Sequence, residues 1–170
     1  LWPRCRDEMK IDEKTVAAAS KRSSCAVVAI GRSAGEDREN TLKKGSYYLT
    51  DDETALLDKV TANFKNTVIL INSGNIIDMS WMNKYGDKLS AVLYVWQGGM
   101  ESGNAVADVL SGKVSPSGKL TDTIACSLAD YPAANDFGDT VRNFYTEDIY
   151  VGYRYFETFC PEKVMYEFGF

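Results

Sequence analysis

The 170 residues contain no histidine. That absence removes every Ser–His and Cys–His nucleophile pair and leaves carboxylates, lysine, tyrosine and backbone groups as the available catalytic chemistry. It also rules out a mixed Cys/His zinc site. The four cysteines, Cys5, Cys25, Cys126 and Cys160, are widely scattered with no C-x-x-C pair, so no structural metal is expected. Basic clusters are equally scarce. None is longer than Lys43-Lys44 and the net charge is -5, so the chain lacks the basic stripe that binding to nucleic acid or an anionic membrane surface requires. No apolar run approaches the roughly 20 residues of a membrane helix, and Leu1 to Lys10 lacks the apolar core of a signal peptide. These absences predict a soluble, cytoplasmic protein without a membrane partner. Cys25 and Cys126 are expected to be small buried hydrophobes in a reducing compartment. Neither G-x-G-x-x-G nor a Walker-type G-K-[ST] occurs, so Gly31-x-x-x-Gly35 and Gly98-Gly99-x-x-x-Gly103 read as tight turns rather than phosphate cradles, and no cofactor is expected.

What is present is the composition of an ordinary globular domain, 45% hydrophobic and 25% charged, long enough to bury its own core. Asp12 is placed to cap a short helix running through Arg22, and the apolar run Cys25 to Ile30 follows as a strand. Thr50-Asp51-Asp52-Glu53 is a capping box, and Leu56, Leu57, Val60 and Phe64 recur at helical spacing behind it. A second strand, Thr67 to Ile71, a short helix, Met79 to Tyr85, and a third strand, Ala91 to Trp96, come next. Gln97 to Gly103 then leads into a helix through Ser111, stopped by Gly112 as a left-handed cap. Helices alternating with strands apolar on both faces predict an α/β fold, a mostly parallel sheet sandwiched between helices with right-handed crossovers.

Ligands of open α/β sheets bind outside the carboxyl ends of the strands. The loops at 31–40, 72–75 and 97–103 should therefore gather along one edge. Glu36 lies in the first of them, within Ala34-Gly35-Glu36-Asp37-Arg38-Glu39, where a catalytic carboxylate would face substrate and where a merely solvated acidic loop would also fit. From Lys113 onward turn chemistry dominates. The segment Phe144 to Phe156 is dense in aromatic rings and charge, a composition suited to sugar stacking or a domain interface, or to a peripheral strand packed on the core.

Several motifs together carry a family resemblance. They are Ala34-Gly35-Glu36-Asp37-Arg38, Tyr48-Leu49-Thr50, Ile69 to Gly74, Ala91 to Leu110, Pro116-Ser117-Gly118-Lys119-Leu120 and Glu147 to Tyr155. In this order and spacing the chain resembles the C-terminal α/β sandwich domain of family 3 glycoside hydrolases, the β-glucosidase family, from about Cys25 to Phe170. The expected division is an N-terminal helix and leader over residues 1–24, followed by a partial family domain over 25–170. The resemblance implies a retaining hydrolase of β-linked glucosides or oligosaccharides. A barrel domain, in the same gene product or another chain, supplies an Asp nucleophile, and the sandwich supplies the Glu acid/base. Glu36 aligns with that Glu. Asp37 and Glu39 are the other carboxylates of the loop, and Asp37 with Arg38 reads as the ion pair that holds it. The family's commoner form carries a glycine between the Glu and the Asp-Arg pair, whereas Glu36 here abuts Asp37. Trp96, Gln97 and Tyr153 are expected beside the substrate. The Ser-Asp-Trp type nucleophile motif of the barrel has no counterpart here, so the chain alone is expected to be inactive. Two other readings are a noncatalytic carbohydrate-binding or interaction module of the same fold, and a flavodoxin-like nucleotide domain.

Overall fold

A computed structural model describes residues 10–32, 41–136 and 139–170. It divides into two compact units, one formed by residues 1–77 and 81–107, the other by 78–80 and 108–170.

The first unit is built on a three-stranded parallel sheet, β1 (Cys25–Gly31), β2 (Asn66–Asn72) and β3 (Leu89–Tyr94), in the order β1-β2-β3. Before β1 comes α1 (Glu13–Ser20), whose N-cap Asp12 accepts from the Thr15 amide at 2.7 Å. The capping box is formed as its sequence predicts. In α2 (Asp51–Asn63), Thr50 Oγ1 accepts from the Glu53 amide at 3.0 Å while Glu53 Oε2 accepts from the Thr50 amide at 2.8 Å. Two orphan donors of the helix end are thereby satisfied. α2 turns Leu57 and Val60 inward and packs on β1 and β2, and α1 packs on α2. The tie between the helices is polar as well: Lys59 Nζ donates to the Ile11 carbonyl and Asn63 to Glu13. Val28, Ile30, Ile69 and Ile71 complete this core from the sheet. Each such side chain, fully withdrawn from water, contributes about 1.5–3 kcal/mol.

The strand runs are less uniformly buried than their composition predicts. In β1 only Val28 and Ile30 are buried, while Val27 is 51% exposed and Cys25, Ala29 and Gly31 are exposed with it. Side chains alternate across a strand, so Cys25 shares the open face with Val27. The expectation that Cys25 and Cys126 are buried is therefore corrected. Both are exposed, Cys126 just past β4 (Ile124–Ala125), and among the described cysteines Cys160 is the buried one.

Thr67, at 0% exposure in β2, points its hydroxyl at no hydrogen-bonding group among the described residues. Thr67→Val keeps the shape and removes the desolvation cost of that hydroxyl, so we expect it to raise stability by about 1 kcal/mol. A urea midpoint moved upward at unchanged slope is the check, and a downward move would mean that the hydroxyl has a partner.

Past the sheet, α3 (Met82–Tyr85) is shorter than the predicted Met79 to Tyr85, and α4 (Ser102–Leu110) ends at Gly112, whose φ of +75° is the left-handed cap read from sequence. α3 is anchored to α2 through Asp58, which accepts from Lys84 Nζ at 2.6 Å and from the Tyr85 hydroxyl at 2.9 Å. The bond from Lys84 holds the Asp58 carboxyl below its ordinary range.

In the second unit, a two-stranded antiparallel sheet pairs β4 with β5 (Val164–Tyr166). Its core is Ala125, Phe156 and Cys160, flanked by Tyr131, Tyr155 and Val164. Tyr131 bridges this core to the backbone, donating to the Thr123 carbonyl at 2.7 Å and accepting from the Ala125 amide at 3.0 Å, and burial pushes its hydroxyl pKa up. The aromatic segment is not the peripheral strand allowed by its composition. It turns at residues 146–149 and becomes α5 (Tyr153–Phe159), with Phe156 buried one turn in. Tertiary burial of Phe156 and Cys160 at i, i+4 outweighs the strand propensity of the aromatic residues. Among the described residues, no helix is long and apolar enough to cross a membrane, and no cluster of His, Cys, Asp and Glu has metal-binding spacing.

Candidate functional site

The three strands of the parallel sheet end level with one another. Gly31 pairs with Asn72 and Ile71 with Tyr94, so the chain leaves all three at the same edge, as the sequence predicts. Two backbone bonds extend the pairing one residue further: the Arg32 amide donates to the Asn72 carbonyl at 3.0 Å and the Val95 amide to the Ile71 carbonyl at 2.8 Å.

At the centre, the turn after β2 is fixed from inside. Ser73 Oγ donates to the Asn75 carbonyl at 2.8 Å and lies 3.2 Å from the Asn75 amide, and the Tyr94 hydroxyl donates to that same carbonyl at 2.5 Å. The Tyr94 ring leans on Trp96, centroids 4.2 Å apart and planes at 40°. Trp96 itself has φ of +49°, a left-handed conformation that side-chain-bearing residues rarely adopt. Strain of this kind is kept where surrounding contacts over-determine it, and it collects at functional sites. Trp96 is half-buried, and Gln97 beyond it is exposed. The structure thus brings Trp96 and Gln97 to the sheet edge where sequence reasoning puts them.

After β1 the chain is held by Arg32. Its guanidinium meets both Glu53 oxygens, Nη1 to Oε1 at 2.5 Å and Nη2 to Oε2 at 2.9 Å, with the two side chains 8% and 9% exposed. The remaining donors go to backbone carbonyls: Nε to Ser46 at 2.9 Å, Nη1 to Gly31 at 2.8 Å and Nη2 to Tyr48 at 3.3 Å. All five guanidinium N–H groups are used. Glu53 also closes the capping box, so one carboxylate binds both a helix end and the residue leaving β1. The sequence shows Glu53 as a cap residue and Arg32 as a loop residue. Their pairing across 21 positions has no local signature.

Glu36, Asp37 and Arg38, the residues given catalytic and loop-holding roles, lie outside the described residues, as does Glu39. Tyr153 belongs to the second unit, where it opens α5, stacks on Phe168 with centroids 4.8 Å apart and lies 5.2 Å from the Arg154 guanidinium. Arg154 and Glu157 line a shallow open groove there with Ile149, Tyr150, Val151 and Tyr153.

Comparison with known proteins places this architecture. Residues 5–153 match the family model described as the glycosyl hydrolase family 3 C-terminal domain. A beta-glucosidase of Ruminococcus albus is 49% identical over 99% of the chain, and Beta-glucosidase A of Butyrivibrio fibrisolvens is 40% identical over 96%. The chain spans 18% and 22% of the length of those two relatives. Among solved structures, a beta-glucosidase from Paenibacillus barengoltzii superposes with a TM-score of 0.92 at 54% identity, covering 96% of this chain and 18% of that one. Beta-glucosidase 3B from Thermotoga neapolitana, solved in complex with glucose, does so with a TM-score of 0.85 at 36% identity, covering 96% of this chain and 24% of that one. The parallel sheet with its level strand ends is thus that of the C-terminal α/β domain of glycosyl hydrolase family 3, and the chain belongs to that family.

Proposed function

We propose that this chain is the sandwich-domain portion of a retaining β-glucosidase and that Glu36 is its acid/base. A family 3 barrel domain contributes the Asp nucleophile, and the substrate is a β-linked glucoside or short oligosaccharide. One observation carries the reading: the segment holding Glu36 leaves β1 at the edge where all three parallel strands end, in a fold shared with enzymes named as beta-glucosidases. Ligands of such sheets sit at that edge.

The chemistry needs two carboxyl groups about 5 Å apart, one ionised to attack the anomeric carbon and one protonated to assist the departing oxygen. After the glycosyl-enzyme forms, the same second group takes a proton from water and completes hydrolysis. An exposed Glu, with a pKa of about 4.3, is ionised near neutral pH and is a poor acid there. Enclosure under the barrel and the bound sugar, beside the nucleophile carboxylate, raises that value. The division of labour follows: the sandwich carries the acid/base, and the barrel both supplies the nucleophile and creates the environment that keeps the acid protonated.

The test is to assay the purified chain on aryl β-glucoside and β-xyloside, alone and mixed with a family 3 barrel domain. We expect turnover only in the mixture, with the glucoside preferred. Sugar binding by a folded chain that no barrel activates would instead identify a noncatalytic carbohydrate-binding module.

A further inference from the structure

The groove of the second unit is lined by residues 149–151 from the turn before α5 and by Tyr153, Arg154, Glu157 and Thr158 from the helix itself. Two left-handed residues shape the chain there, Asp148 at φ +50° and Gly152 at φ +60°. The turn is held by its own backbone: the Asp148 amide donates to the Tyr145 carbonyl at 3.1 Å and the Tyr150 amide to the Glu147 carbonyl at 2.8 Å. Its lining is anchored to the core of the unit through a ladder of rings. Tyr150 meets Phe159 edge-on with centroids 4.8 Å apart, Phe159 meets Tyr155 at 5.5 Å, and Tyr155 meets the buried Phe156 at 5.5 Å. The volume of about 670 Å³ lies within the range of about 300–1,000 Å³ usual for ligand sites, and the open form suits an extended ligand.

Two charged groups of this lining have no ion pair or hydrogen bond among the described residues. Arg154 and Glu157 stand three positions apart, neighbours on a helix surface, yet they do not pair, and the Arg154 guanidinium rests only against the Tyr153 ring, 5.2 Å from its centroid. We propose that this groove binds a neutral oligosaccharide. Charge selects the class. An anion such as phosphate would be drawn to Arg154 and repelled by Glu157, and a cation the reverse, whereas sugar hydroxyls both donate and accept. The guanidinium offers parallel N–H donors and the carboxylate two acceptor oxygens, so each can take a pair of neighbouring hydroxyls. A pyranose also has apolar faces made of C–H groups, and Tyr150 and Tyr153 supply amphipathic ring area with a hydroxyl at the rim. Thr158 adds one more donor and acceptor. The proposal does not depend on the assignment of Glu36. It needs only described residues of a single unit.

The test is calorimetric titration of the full chain with cellotetraose, accompanied by amide hydrogen exchange. We expect a Kd on the order of 1 mM, in keeping with a ligand that stays partly in water, and slowed exchange at residues 149–158. Two variants report on the two halves of the argument. Tyr150→Ala removes ring area and should weaken binding about 10-fold. Arg154→Met/Glu157→Gln leaves the net charge of the chain unchanged, removes the paired donors and one acceptor oxygen, and should also weaken binding about 10-fold. Arg154 and Glu157 are exposed and make no hydrogen bond or ion pair among the described residues, so this double variant should unfold at the parental urea midpoint. It carries the test if Tyr150→Ala does not fold.

No heat and no slowed exchange at roughly ten times that concentration would overturn the proposal, as would saccharide binding that the double variant leaves at parental strength. Inorganic phosphate is titrated alongside, and tighter binding of phosphate than of cellotetraose at these residues would make the groove an anion site instead. A family 3 barrel domain is the other comparison. If it slows exchange at 149–158 while cellotetraose does not bind, the groove is a surface between domains and the saccharide reading fails. The acid/base reading is decided by turnover and this one by binding, so either can fail alone.

Discussion

Glu36→Gln is expected to lower kcat/KM on an alkyl β-glucoside by about 100- to 10,000-fold when the chain acts with a family 3 barrel domain. Gln has the shape of Glu and keeps one acceptor oxygen but has no acidic proton to deliver, so the loss measures proton transfer rather than packing. The leaving group sharpens the test. With dinitrophenyl β-glucoside the first step hardly needs an acid, so its kcat/KM should survive. Hydrolysis of the glycosyl-enzyme then becomes limiting, because the same residue must act as base in the second step. A small anionic nucleophile such as azide, which needs no base, should accelerate that step and yield a glucosyl azide. Asp37→Asn and Glu39→Gln are the controls. The sequence places all three carboxylates within four positions, Glu36 to Glu39, and only the one in contact with the glycosidic oxygen should show this dependence on leaving group. If Glu36→Gln keeps its rate and Glu39→Gln loses it in this pattern, the acid role belongs to Glu39.

The architecture of the sheet was legible because it is written in short-range signals. The Thr50/Glu53 capping box, the Asp12 cap, the strands at Cys25 and Thr67 and the left-handed stop at Gly112 each depend on residues within a few positions of one another, and each is present. Parallel pairing alone puts the carboxyl ends of the strands at one edge, so the site edge could be placed before any contact was seen. What the sequence did not reveal depends on contacts made far along the chain. Cys25 reads as apolar but falls on the exposed parity of β1, and parity becomes burial only once something covers a face. The aromatic stretch ending in Phe156 carries strong strand propensity, yet burial of Phe156 beside Cys160 selects a helix. Arg32 and Glu53 are the clearest instance. One looked like a loop residue and the other like a helix cap, and their bidentate pairing over 21 positions exists only because α2 packs against β1. Trp96 belongs with them: its position at the sheet edge was foreseeable, but its positive φ was not, because nothing in a tryptophan side chain calls for a left-handed backbone.

Arg32→Ala should be among the most destabilising single substitutions in the chain, lowering the unfolding free energy by about 3–5 kcal/mol. Truncation would leave the Glu53 carboxylate, 9% exposed, without its counter-charge, and would strip donors from the carbonyls of Gly31, Ser46 and Tyr48. An unpaired buried charge is the larger loss, since its desolvation has already been incurred and nothing then offsets it. Set against the roughly 5–15 kcal/mol typical of a whole domain, a loss of that size would shift a substantial fraction of molecules toward the unfolded state at moderate temperature. Arg32→Lys should cost less, because an ammonium can still face Glu53, but it has three donors where the guanidinium has five. Arg32→Met/Glu53→Gln should cost less than Arg32→Ala although it changes two residues, because it leaves no charge behind. That ordering, Ala worst and the charge-free pair milder, distinguishes a penalty for a stranded charge from simple loss of attraction, which would make the double variant at least as unstable as the single one. Urea unfolding of the three variants beside the parent decides between them, and an Arg32→Ala midpoint close to the parental value would show that water reaches Glu53 despite its small exposed area.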